Sequence, residues 1–76
     1  MLRIYADFND SDEQGRVRLD PRGSRTDVRA HGDALVEGLR VVLYMTDELE
    51  VEGTLVFEQI WRGIPDWSTI RYLDSR

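Results

Sequence analysis

Residues 39–58, LRVVLYMTDELEVEGTLVFE, contain two arms in which apolar side chains recur at every second position. Leu39, Val41, Leu43 and Met45 share one side of the first arm; Val51, Leu55 and Phe57, with Gly53 among them, share one side of the second. A period of two sends alternate side chains to opposite faces of an extended chain, so the pattern predicts two strands with a single buried face. It specifies architecture and carries no chemistry.

The pairing is constrained, because a one-residue slip would turn an entire apolar set toward water. A three-residue loop, Asp47-Glu48-Leu49, pairs Thr46 with Glu50, Met45 with Val51, Leu43 with Gly53, Val41 with Leu55 and Leu39 with Phe57. Every inward pair is then apolar or glycine. A two-residue loop sets Met45 opposite Glu50 and mixes the faces, and the segment lacks the Asn-Gly chemistry of tight primed turns. Three or five loop residues are expected. Gly53, inward in mid-strand, predicts a sharp coil or bulge where a narrow barrel turns.

A chain of 76 residues makes one domain, residues 1–76, with a thin core, since folding at this size buries only about 60% of the unfolded surface. Without cysteine it has neither disulfides nor a thiolate zinc site. No apolar run approaches the roughly 18 residues of a membrane helix, and MLRIYADF lacks the long apolar region of a signal peptide, so a soluble cytoplasmic protein without membrane contact is expected. The net charge of −5 argues against generic nucleic-acid binding. All ten basic residues are arginine, and five of them, Arg16, Arg18, Arg22, Arg25 and Arg29, fall in one stretch. Acid gathers elsewhere, at Asp7, Asp10, Asp12 and Glu13, and again at Asp47, Glu48, Glu50, Glu52 and Glu58.

Leu2, Ile4, Ala6 and Phe8 alternate with polar positions and predict an N-terminal strand. A polar run from Asn9 ends at Gly15, and Val17 with Leu19 forms a second short strand, closed by a turn at Asp20-Pro21-Arg22-Gly23. These two strands are expected to form the first hairpin. In residues 24–38, Ser24 or Thr26 caps a single helical turn through Asp27, Val28 and Ala30 that stops near Gly32, with Val28 and Leu35 pinning it to the core; no long helix is expected. After Phe57, a strand over Ile60–Ile64, a turn or 3₁₀ turn at Pro65-Asp66-Trp67-Ser68 and a strand over Thr69–Leu73 fit the pattern, with one long bent strand through Phe57 and Ile60 as the alternative.

The expected fold is all-β: a small barrel of five or six antiparallel strands with one short helical or 3₁₀ turn. On the central hairpin, the run Gly63-Ile64-Pro65-Asp66-Trp67 and the final strand Ile70–Leu73, the chain resembles the SH3-like barrels. The alanine-leucine-tyrosine-aspartate-tyrosine signature and adjacent tryptophans of peptide-binding members are absent, so the resemblance implies a fold and no proline-rich ligand. The phrases GLRVVLY and ELEVEGTL are also similar to those of small bacterial proteins, a similarity that supplies no functional residues.

Aromatic residues are the leading interaction candidates, because a large ring with a polar handle gains contact area at low entropic cost. Trp61, Trp67 and Tyr72 lie close together in sequence, and Tyr5 and Tyr44 sit opposite their strands' apolar rows. Trp67 is expected mainly in the core. Glu50, Glu52 and Glu58 beside Tyr44 could receive a basic partner, or form a solvated face that discourages edge association. The arginine stretch, with Arg16 and Arg18 at its head, could hold phosphate or carboxylate, or pair with the chain's own acids.

Asp7-Phe8-Asn9-Asp10-Ser11-Asp12 imitates the opening of a calcium loop, but Asp12 stands where glycine is required and Arg18 where a bidentate glutamate is required. His31 with Ser24, Asp27 and Asp33 can be drawn as a triad on paper, without any supporting oxyanion site. No catalytic, cofactor-binding or metal-ligating set emerges. The expected function is a non-enzymatic interaction module for a protein partner or a second copy. A nucleic-acid-associated barrel using Arg16–Arg29 is the alternative, and a hydrolytic or metal-dependent enzyme the distant one.

Overall fold

The computed structural model describes residues 1–73. In chain order it contains β1 (Arg3–Tyr5), β2 (Val17–Arg18), α1 (Arg22–His31), a 3₁₀ turn (Gly32–Ala34), β3 (Arg40–Met45), β4 (Leu49–Glu58), β5 (Ile60–Pro65), a second 3₁₀ turn (Trp67–Thr69) and β6 (Arg71–Tyr72). One mixed sheet runs β1-β3-β4-β5-β2, with β6 also paired to β4, and it curls into a half-barrel. Ile4, Ala6, Val17, Leu19, Leu35, Val41, Leu43, Val51 and Leu55 fill its concave side. Among the described residues no helix is long and apolar enough to cross a membrane.

The central hairpin forms with the predicted inner face, but its register differs. Val41 is opposite Gly53, Leu43 opposite Val51 and Met45 opposite Leu49, around a loop of Thr46, Asp47 and Glu48. Relative to the expected register, β4 is displaced by two residues, an even number that leaves every side chain on its own face. Two local devices set it. Glu48 N–H donates to the Met45 carbonyl (3.0 Å) across a turn whose third residue, Asp47, holds φ 61°. At the other end Gly38, at φ 86°, donates to the Leu55 carbonyl (2.8 Å) while Leu55 donates to the Leu39 carbonyl (2.9 Å), so Gly38 and Leu39 together oppose Leu55. That is a glycine bulge on the turn closed by Leu39 N–H and the Val36 carbonyl (3.1 Å), and it aligns Leu39 with Leu55 instead of Phe57. Phe57, expected inside, is consequently 51% exposed beyond the end of the β3 pairing.

Gly53 does mark a close approach. A Cβ there would lie 2.7 Å from Leu43 Cδ1 and 2.8 Å from the Ile64 carbonyl oxygen, and one on Gly63 would lie 2.7 Å from the same Leu43 methyl. Leu43 therefore seats on two bare backbone patches of neighbouring strands. Between β4 and β5 the chain reverses sharply at Gln59, φ 67°, so the long bent strand is not formed. The 3₁₀ turn after Pro65 and the short strand beyond it form as expected.

Three further expectations are corrected. β1 does not pair with β2: it runs parallel to β3, Ile4 beside Leu43, so the sheet is not strictly antiparallel. Val17 instead bridges Ser11 and pairs with Gly63, and Asp12 N–H donates to the Arg16 carbonyl (2.8 Å) to close a small local hairpin. The segment read as a turn at Pro21 starts a ten-residue helix, in which Pro21 occupies the N-cap and Gly32 the C-cap. Trp67, read as core, is 51% exposed on its 3₁₀ turn.

Candidate functional site: the two faces of helix α1

Little in α1 itself favours a helix. RGSRTDVRAH contains glycine, serine, threonine, aspartate and valine, no acid stands in the first turn, and no side chain caps its start. Tertiary contacts hold it. Parallel β1 bonds to β3 through Ala6 N–H to the Tyr44 carbonyl (2.8 Å) and Val42 N–H to the Leu2 carbonyl (2.8 Å), which turns the backbone groups of Arg3 and Tyr5 outward. One face of α1 meets them. Ser24 Oγ donates to the Tyr5 carbonyl, Tyr5 N–H donates to Asp27 Oδ2 (2.8 Å), and His31 Nε2 lies 2.9 Å from the Arg3 carbonyl. A carbonyl only accepts, so Nε2 carries the proton in that bond. Three side chains thus cover a strand edge that would otherwise template pairing with another chain.

This arrangement absorbs most of the catalytic candidates. Ser24, Asp27 and His31 each bond to β1 backbone rather than to one another, and Ser24 is fully buried. Asp27 also accepts from the Tyr44 hydroxyl (3.0 Å). Tyr44 packs edge-on against Tyr5 at 5.8 Å, beneath the Arg3 guanidinium 4.8 Å from its ring centre. Burial and the adjacent Asp27 carboxylate push its hydroxyl pKa up, favouring the neutral donor.

The opposite face of α1 carries Arg22, Arg25 and Arg29, all exposed, within an arc of about 60° at 100° per residue. Among the described residues none of the three makes an ion pair, whereas six other arginines do. Arg22 and Arg25 stand near the positive end of the helix dipole, where basic residues weaken a helix. Arg29, in the last turn, suits the dipole, but the dipole does not explain Arg22 and Arg25.

The basic stretch read from sequence therefore divides. Arg16 and Arg18 do not share the helix face: Arg16 binds Asp12 (2.8 Å) and Glu58 (2.5 Å), and Arg18 binds Asp10 (3.0 Å). Asp12, its side chain only 8% exposed, also receives Arg62 (3.0 Å) and the backbone N–H groups of Gln14 and Arg16. Burial alone would raise the Asp12 pKa, but these donors outweigh it and hold the carboxyl well below the ordinary range. With Asp10 and Asp12 so engaged, the acidic loop is an arginine-tied turn. Among the described residues no group of three or more histidine, aspartate or glutamate side chains is arranged to hold a metal ion.

The other candidates are placed as follows. Glu50 is held by Arg3 (2.9 Å) and Arg71 (3.6 Å), Glu52 by Arg40 (3.2 Å), and Glu58 by Arg16, so the acidic arm is largely neutralised from within. Asp66 binds Arg40 (2.7 Å) and caps the second 3₁₀ turn through Ser68, whose hydroxyl, with Arg40, lowers its pKa. Trp61 packs edge-on to Phe57 at 5.1 Å and reaches the core; Trp67 tilts against Phe8 at 5.4 Å. The two tryptophans lie toward opposite ends of β4, since Phe57 stands opposite Trp61 while Asp66 N–H bonds the Glu52 carbonyl. They do not form one patch. No protein-family model, curated protein or solved structure matches this chain.

Proposed function

We propose that this chain is a non-enzymatic interaction module that docks a negatively charged protein surface through the outer face of α1. The order of central hairpin, 3₁₀ turn and short last strand supports an SH3-like reading of its half-barrel scaffold, from which the parallel β1 departs. The observation that carries the function is the contrast among arginines: among the described residues, those on the sheet and loops are matched by the chain's own carboxylates, and those on α1 are not. A guanidinium offers several donors in a planar fork suited to carboxylate, and an exposed row of three gives an avidity that single surface charges lack.

Fluorescence anisotropy with a labelled polyglutamate peptide tests this reading. Binding at low salt that weakens toward about 0.15 M, and that is lost in R22E/R25E/R29E, is the expected result. R71E serves as the control, being a charge reversal at an exposed arginine away from the helix. No binding, or an equal loss in R71E, overturns the proposal.

A further inference from the structure

The exposed side of α1 holds more than charge. Alongside the arginine row run Thr26 and Ala30, also exposed and four residues apart, while Gly23, one turn earlier, is turned toward Tyr5, whose ring lies 2.9 Å from where a Cβ would stand. A ridge of three long side chains therefore borders two small ones. Along the axis the arginines are separated by about 4.5 and 6 Å, at 1.5 Å per residue. Same-face residues of an extended strand recur at about 6.7 Å, whereas positions i, i+3 and i+7 of a second helix reproduce the arginine spacing. Small side chains beside the ridge admit a partner helix at close approach.

The ends of the row limit the partner's length. Arg22 to Arg29 spans about 10 Å, and exposed acids stand just outside it, Asp20 before the helix and Asp33 after it. A nucleic-acid backbone is a long uniform polyanion and would continue onto those carboxylates; two turns of an acidic helix would not. α1 itself has no acidic row to offer, as Asp27 is its one carboxylate and faces β1.

Resting on the functional reading above, we infer that the occupant of α1 is an acidic amphipathic helix of a partner protein, with Asp or Glu at i, i+3 and i+7 and small or aliphatic residues on the adjoining edge. Its carboxylates meet Arg22, Arg25 and Arg29, and its smooth edge lies over Thr26 and Ala30.

Four probes compared by anisotropy test this inference: a side-chain-stapled helical peptide with that pattern, a scrambled peptide of equal composition, a polyglutamate coil and an RNA hairpin. The patterned helix is expected to bind about tenfold tighter than the scramble, a difference of roughly 1.4 kcal/mol. Ala30→Gln, which adds bulk and no charge, is expected to remove that advantage while leaving coil binding unchanged. Equal binding of patterned and scrambled peptides overturns the helix assignment and leaves the acidic-docking reading intact. Tighter binding of RNA than of every peptide overturns the assignment in favour of a phosphate backbone, and absence of all binding overturns both.

Discussion

Asp12 shows how one carboxylate can organise a loop that has almost no apolar content. It accepts from two backbone N–H groups and two guanidiniums, joining the turn before β2 to Arg62 on β5. Its pKa is lowered in the folded protein, so its contribution is fully present above the unfolded value of about 3.9 and is lost as pH falls through the folded value. Urea midpoints of wild type and D12N are expected to differ most near neutrality and to converge progressively below about pH 4. A gap that stays constant down to pH 2 contradicts this assignment. The motif that held these acids was visible in sequence, and so were Arg16 and Arg18 as candidates to pair with the chain's own acids, but Arg62 was not: it is distant in the chain, and only the sheet brings it to Asp12.

At the scale of elements, the central strands were legible, but the parallel pairing of β1 and the length of the helix were not. Alternation reports burial against an apolar core, and β3 and β4 obey it at Val41, Leu43, Val51 and Leu55. The inner face of α1 is instead built from Ser24, Asp27 and His31, because what it covers is a row of peptide groups. A polar inward face leaves no hydrophobic stripe to read, and weak local propensity reinforced the expectation of a single turn. The displaced hairpin register has a similar cause. Face parity is written in apolar spacing, whereas the choice between registers of equal parity was made by Asp47 and the Gly38 bulge.

The same strands yield a packing prediction. Leu43 fills the space left by two missing side chains, so L43A is expected to cost about 2–5 kcal/mol and G63A about 1–3 kcal/mol by chemical denaturation. In L43A/G63A the added methyl occupies part of the vacated volume. The double variant should therefore be less destabilised than the sum of the singles by about 1 kcal/mol or more. Strict additivity would mean that Gly63 is selected by something other than its contact with Leu43.

For the molecule as a whole, the net charge of −5 conceals an uneven arrangement. Most arginines and many acids neutralise one another across the half-barrel, in pairs joining β1 to β4, β3 to β4, and the loop before β2 to β5. The exposed pairs among them, such as Arg40–Glu52, contribute little stability individually, typically below about 1 kcal/mol, but all of them decide which charges stay available to a partner. In sequence the arginine stretch is undivided; in the fold Arg16 and Arg18 pair with Asp12 and Asp10 just upstream, and Arg16 also with distant Glu58, while Arg22, Arg25 and Arg29 make no ion pair among the described residues. The outcome is a helix with one face committed to the strand edge and the other presented outward.

Backbone amide shift mapping during titration of the ¹⁵N-labelled protein with the patterned acidic helix tests that division of labour most directly. Shifts concentrated in residues 20–33 and strongest around Arg22, Arg25 and Arg29, with Phe57, Trp61 and Trp67 unmoved, are the predicted result. Shifts centred on the tryptophans, or loss of the β1 signals as the helix is pulled from its strand, would contradict it.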